Sequence, residues 1–359
     1  MRRRLLQAAA AALAAAALPA RAQPVAPRIS AFDITMRDYV RAERAGAAAL
    51  AVTRKGRLVH AAGYGDADTR TPFRVASLSK PITATAVLRL VERGALPLDE
   101  PIWTRLGLGE AADARWKRVT ILHLLQHTGG WAHAVGRDPM FAPGGTPEWV
   151  LAEQLRRPLD FEPGARHAYS NFGYFLLGRA IERASGMGYE SFVQREVLEP
   201  IGIRGLRVAP PEGRAAELVD AHSGWAGNAV DMARFARAFD ERDAHPLLSR
   251  ASIDLMHARP EGSAGHGADG SPLAAYYGCG WMVRPVGGPG QAYAWHDGSL
   301  ADASALMVRG YDGTNWVALF NSRTGANGRL LATGIERPLF RAAALQHAWP
   351  DGDAFGALR

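Results

Sequence analysis

The chain has 359 residues, 48% of them hydrophobic and 21% charged, with a formal net charge of +7. That length builds a large core, as one big domain or two interlocked subdomains. The single cysteine, Cys279, excludes an internal disulfide, and without CxxC pairs, an HExxH pattern or a Rossmann loop nothing points to a metal or a cofactor. No lysine and arginine cluster interleaves with aromatics, so nucleic acid is not an expected partner.

In chain order, Arg2-Arg3-Arg4, an alanine-leucine run from Ala8 to Leu18 and Ala20-Arg21-Ala22 before Gln23 predict a signal peptide over residues 1–22. The apolar run is too short to span a bilayer, so no stable membrane anchor is expected after cleavage. The chain is therefore expected to be exported, periplasmic or secreted, by the general route or by a twin-arginine route through Arg3-Arg4. The segment removes four arginines and no acid, which leaves a net charge of about +3.

Ser30 is a predicted cap for a helix to about Ala45. Ala47–Thr53 and Leu58–Ala62 predict two strands around a Lys55-Gly56 turn. An apolar helix follows Ser77 to about Arg93. From about Leu96 to Arg259 the pattern is mostly helical, as in Thr120–Gln126, Pro147–Leu155, Asn171–Ala184 and Tyr189–Val197. Strands then return: Tyr276–Trp281 (which holds Cys279 as a buried thiol), Gly280–Arg284, Ala292–His296, Ser304–Arg309 and Trp316–Asn321. A helix from about Gly328 to Leu345 closes the chain. Strands at both ends predict one sheet built from about 30–80 and 270–359, with a helical region over about 81–269 inserted. Trp131, Trp225 and Trp295 are expected in the core, and His123 and His127 as helix-end or core histidines.

The chemistry starts at Ser77-Leu78-Ser79-Lys80. Only three of the 42 basic Lys and Arg residues are lysines, so a lysine three residues after a serine is an uncommon coincidence. Positions three apart share a helical face, which brings the Lys80 amine to the Ser77 hydroxyl. A serine hydroxyl becomes a useful nucleophile when a neighbouring base takes its proton. Tyr169-Ser170-Asn171 follows a Pro163-Gly164 turn, and in an extended segment Tyr169 and Asn171 face one way. His296-Asp297-Gly298-Ser299 ends a predicted strand.

Together these motifs resemble the serine β-lactamase and penicillin-recognising hydrolase superfamily. The resemblance is nearest to the group of class C β-lactamases, D-alanyl-D-alanine carboxypeptidases, D-aminopeptidases and β-lactamase-like esterases. It covers about residues 45 to 345 and includes Phe73–Lys80, Thr120–Gly130, Glu162-Pro163-Gly164, Tyr169–Tyr174, Asp231–Phe235 and Tyr277–Trp281. It implies an α+β fold of the β-lactamase/transpeptidase type, an antiparallel sheet flanked by helices with a mostly helical insertion.

The resemblance implies that Ser77 is acylated, that Lys80 or Tyr169 acts as its base, and that Asn171 orients Lys80 and binds an acyl-side amide. It implies an oxyanion hole from the backbone N–H groups of Ser77 and Ser299, no metal and no cofactor. His296-Asp297-Gly298 stands where many β-lactamases carry Lys-Thr-Gly. Asp297, if it faces the site, repels a free substrate carboxylate; the alternative is that it turns outward. The expected activity is that of an exported serine hydrolase on small esters, amides or short peptides. A D,D-carboxypeptidase or D-aminopeptidase is the alternative. A β-lactamase and a non-catalytic binding protein of the same fold rank lower. The expected partner is a small-molecule or short-peptide substrate, its specificity set by loops around Trp131–Gly145 and Gly262–Pro272.

Overall fold

The computed structural model describes residues 30–132, 138–240, 247–288 and 290–358. The segment expected as a signal peptide lies outside them. Among the described residues no helix is long and apolar enough to cross a membrane.

A helix over Ser30–Glu43 leads into β1 (Ala47–Arg54) and β2 (Arg57–Gly65). Their turn places Lys55 and Gly56 at φ 50° and 79°, the left-handed pair that a tight hairpin needs. Three short strands follow, β3 (Phe73–Arg74), β4 (Arg207–Val208) and β5 (Trp225–Gly227). The last third supplies β6 (Tyr276–Tyr277), β7 (Met282–Pro285), β8 (Ala292–Leu300), β9 (Ala303–Arg309) and β10 (Thr314–Phe320), then a helix over Leu331–Leu345. The main sheet is antiparallel in the order β2-β1-β10-β9-β8-β7-β6. It joins both ends of the described chain.

Every residue of β9 and β10 is buried, which explains their near-continuous apolar sequence. Alternate side chains go to opposite faces. Leu306, Val308 and Trp316 pack under the first and closing helices with Phe32, Met36 and Ile335. Ala305, Met307 and Val317 face the larger core with Trp225, Leu78 and Phe172. The result is a sheet covered on both sides, with the helices over Ser79–Glu92 and Asn171–Ser185 in the second layer.

Four local expectations change. Cys279 is not in a strand: β6 stops at Tyr277, and Gly280 at φ 85° turns the chain with Cys279 buried inside the bend. Burial pushes its thiol up to about 12, so it is inert at neutral pH. The helix at Tyr189 ends at Val193 and continues as a π-helical turn to Leu198. The three-stranded β3-β5-β4 sheet was not foreseen, because strands of two or three residues are too short to show alternation.

Finally, β8 does not end at His296 but runs to Leu300. Beyond Trp295 it pairs with β9 alone, because β7 leaves it there. This one-sided stretch lies against the Ser77 turn. A Cβ on Gly298 would sit 2.8 Å from the Val75 carbonyl oxygen, 2.9 Å from Ala76 Cβ and 2.9 Å from the Ser77 amide nitrogen. Glycine in mid-strand here marks close backbone approach. Gly298→Ala is expected to cost about 1–3 kcal/mol, read as a lower midpoint in thermal unfolding. An unchanged midpoint would mean that the strand moves aside freely.

Candidate active site

Ser77 occupies a single 3-10 turn, Ala76–Leu78, before the Ser79–Glu92 helix. Ala76 holds φ 50°, a left-handed conformation that costs a non-glycine residue energy and persists where its surroundings enforce it. They do so here. Val75 N–H donates to the Trp225 carbonyl at 2.9 Å, and Ser79 Oγ donates to the Ala76 carbonyl at 2.7 Å while accepting from Trp225 N–H at 3.2 Å. The turn is clamped by a strand from the helical region and leaves Ser77 half-buried.

One helical turn on, Lys80 is fully buried. Its Nζ donates to Ser77 Oγ at 3.2 Å, Asn171 Oδ1 at 2.7 Å and the His222 carbonyl at 2.9 Å. Tyr169 OH donates to Ser77 Oγ at 2.9 Å. Lys80 Nζ also lies 4.7 Å from the Tyr169 ring centroid and 5.6 Å from that of Tyr174. Burial lowers the Lys80 amine to about 7, against the opposing charges of Asp138 and Asp297. Burial raises the Tyr169 phenol above its ordinary value, so it keeps its proton at neutral pH. The residue as a whole is 40% exposed, with its hydroxyl bonded to Ser77.

Tyr169 and Asn171 reach the site by different means. Tyr169 precedes Ser170, an extended residue that caps the Asn171–Ser185 helix through Gly173 N–H, and Asn171 is already in that helix. His127 holds this junction. Its carbonyl accepts from Ala168 N–H at 2.8 Å and its Nδ1 accepts from Ser170 N–H at 3.2 Å. The ring packs 4.3 Å from Tyr169 and 4.4 Å from Tyr277. It is thus a core histidine, kept neutral by burial and by the nearby Lys80. His123 completes a capping box with Thr120, also as expected. Trp131, Trp225 and Trp295 are all buried. Ser263 Oγ, in the Gly262–Pro272 loop, donates to the Ala165 carbonyl just upstream of Tyr169. Part of the Trp131–Gly145 loop, 133–137, lies outside the described residues.

His296 is buried, and its Nδ1 lies 2.6 Å from the Asp297 carbonyl, which can only accept. Nδ1 therefore carries the proton, and Nε2 accepts from Tyr277 OH at 3.0 Å. Burial and the nearby Lys80 lower the imidazole to about 3. Position 296 is consequently an uncharged group. Asp297 is exposed at the open edge of β8, yet its charge acts on both Lys80 and Tyr169. Crowding pushes its own carboxyl up, against its backbone amide and Lys80.

Two groups at the site were not foreseen. The His222 carbonyl is a backbone group and leaves no mark in sequence. Asp138 Oδ2 accepts from Asn171 Nδ2 at 2.7 Å, so one of the two N–H donors of the amide expected to hold a substrate is engaged. Ser299 follows Gly298 along the edge that touches the Ser77 backbone, and its own Oγ is buried.

The model of the Beta-lactamase family matches residues 32–337. The chain belongs to that family. Among its relatives, esterase EstB of Burkholderia gladioli is 33% identical over 284 residues, 72% of this chain and 64% of the esterase. The chain thus covers less than two thirds of that relative's length. Penicillin-binding protein 4 of Amycolatopsis lactamdurans is 28% identical over 307 residues, 76% of each protein. A D-stereospecific amidohydrolase from Streptomyces shares the fold, with a TM-score of 0.69 at 24% identity over 86% of this chain and 98% of that one. The antiparallel sheet with flanking helices that the resemblance implies is the fold shared with these structural neighbours.

An amine near 7 makes a pH test direct. Ser77 should be acylated fast above the Lys80 midpoint and slowly below it, because the amine accepts a proton only when neutral. The rate is expected to rise with pH through a midpoint of about 7. Lys80→Arg, whose guanidinium stays charged, should lower the rate by about 10²–10⁴. A flat profile between pH 5 and 9, spanning roughly two units either side of the midpoint, would rule Lys80 out as the base.

Proposed function

We propose that this chain is an exported serine hydrolase that forms an acyl-enzyme on Ser77 and cleaves small esters, amides or short peptides. The observation that carries this reading is the placement of Ser77 Oγ between a buried amine at 3.2 Å and a phenol at 2.9 Å. Lys80 is the better base, because its amine loses a proton near neutrality whereas the Tyr169 phenol is pushed the other way. Ser77 Oγ attacks the substrate carbonyl carbon and its proton passes to Lys80. Tyr169 then protonates the leaving oxygen or nitrogen and is reprotonated from Lys80. Water attacks the acyl group by the reverse route and returns the proton to Ser77. The N–H groups of Ser77 and Ser299 are the proposed oxyanion donors, each worth roughly 3 kcal/mol in such sites.

The charge around Ser77 supports esters and amides without a free carboxylate. His296 is neutral, and Asp138 and Asp297 are both acidic. The names of the relatives, an esterase and an amidohydrolase, agree with this class. The histidine at 296 resembles the residue found there in some carboxypeptidases and D-aminopeptidases, which is the alternative reading.

The deciding experiment is intact mass after exposure to p-nitrophenyl butyrate or to a penicillin, beside Ser77→Ala. Butyryl transfer to the wild type, with hydrolysis lost by about 10³-fold or more in Ser77→Ala, supports the esterase reading. A lasting penicilloyl adduct on Ser77 moves the chain to the D,D-peptidases. Undiminished hydrolysis by Ser77→Ala overturns the nucleophile.

A further inference from the structure

Asn171 is held from both sides. Its Oδ1 accepts from Lys80 Nζ at 2.7 Å and its Nδ2 donates to Asp138 Oδ2 at 2.7 Å. The carboxamide is nearly symmetric in shape, so its orientation is set by its partners. Flipped, its NH2 would meet the N–H groups of Lys80 and its oxygen would meet a carboxylate. Both contacts would be repulsive. Asp138 is itself fixed, because its Oδ1 accepts from Met140 N–H at 2.9 Å and caps the Pro139–Phe141 turn.

We propose that Asp138 is a positioning residue for the reaction: it locks the Asn171 amide with its oxygen toward Lys80 and so keeps the amine aimed at Ser77. The carboxylate touches no reacting atom. It acts through a relay of carboxylate, amide, amine and hydroxyl whose three links are 2.7, 2.7 and 3.2 Å. This inference rests on Ser77 being the nucleophile.

The same residue contributes charge. The groups facing the Lys80 amine are Asp138 and Asp297, which favour its proton, and the rings of Tyr169 and Tyr174. His127, His222 and His296 also surround it and are all held neutral. Arg214 lies on the far side, within the field of Asp138. Removing the Asp138 charge leaves Asp297 as the one nearby anion among the described residues that favours the proton. The amine then loses its proton more readily, and the acid limb of the rate profile moves to lower pH.

The test uses the full chain and a fluorophosphonate probe. Ser77 Oγ displaces fluoride at phosphorus, its proton leaves, and intact mass reads the adduct without any natural substrate. Asp138→Asn keeps the shape but drops the charge, and its one amide oxygen has to serve two donors, Met140 N–H and Asn171 Nδ2. Its acid limb should move down by about 0.5–1 pH unit. Asp138→Ala frees the amide, and its plateau rate should fall by about 10–100-fold. In an Asn171→Ala background the same change should cost less than about threefold, because coupled residues are not additive.

An unmoved acid limb in Asp138→Asn, or an equal loss from Asp138→Ala in both backgrounds, overturns the proposal. Should Asp138→Ala lose its thermal transition, the Asp138→Asn profile decides alone. Absence of label on wild-type Ser77 overturns the nucleophile reading and this inference with it. Normal labelling of wild type with an unmoved Asp138→Asn limb overturns only the relay.

Discussion

Lys80 carries an amine into the protein interior, and three oxygens, from Ser77, Asn171 and His222, receive it there. An isolated charge in such a place is costly, and the usual resolution is to give up the proton. The fall from 10.5 to about 7 is that resolution. Between those two values the unfolded chain holds a proton that the folded chain does not, so stability rises with pH across that window. At neutral pH the burial opposes folding by several kcal/mol. The large core and the two-sided sheet offset it. What the fold obtains in return is a neutral amine beside a hydroxyl.

The position of Ser77 depends on a second constraint, the meeting of distant parts of the chain. The left-handed Ala76 is held by Trp225 from the helical region and faces Gly298 from the last third of the chain. A Cβ at 298 would strike the Val75, Ala76 and Ser77 backbone. The strained turn is therefore boxed in on two sides, and Ser77 is fixed relative to the strand that carries His296 and Ser299. Order at the site is a property of tertiary packing and not of the Ser77–Lys80 segment alone.

Much of this was legible in the sequence because it is local or periodic. Ser77 and Lys80 are three apart on one helical stretch, and their contact follows from helix geometry. β1, β9 and β10 show as apolar runs between turn residues. Tyr169 and Asn171 were expected to face one way from an extended segment; they meet Ser77 and Lys80, with Asn171 already in a helix. The rest depends on contacts without local pattern. Asp138 lies 33 residues from Asn171 in a loop that reads as any polar loop does. The His222 carbonyl is backbone and has no residue signature. The charge state of His296 depends on its burial and on Lys80, which comes from a distant part of the chain. The direction of Asp297 was open because β8 was expected to stop at His296, and only the longer strand puts Asp297 on its open edge.

The same charges bear on what the site accepts. A site that grips a free carboxylate needs a fixed cation or several free donors facing it. Here Lys80 is spent on Ser77 and Asn171, and its amine is largely neutral at the working pH of the proposed mechanism. His296 is kept uncharged by burial and by Lys80, with Nδ1 turned to the Asp297 carbonyl and Nε2 to the Tyr277 hydroxyl. One Asn171 N–H is taken by Asp138. Three groups that would otherwise present positive charge or N–H to a substrate are thus engaged within the protein. The two carboxylates add a field of the opposite sign. The burial that lowers the Lys80 amine and the hydrogen bonds that engage His296 and Asn171 thus both favour the proposed neutral or amine-bearing acyl donors.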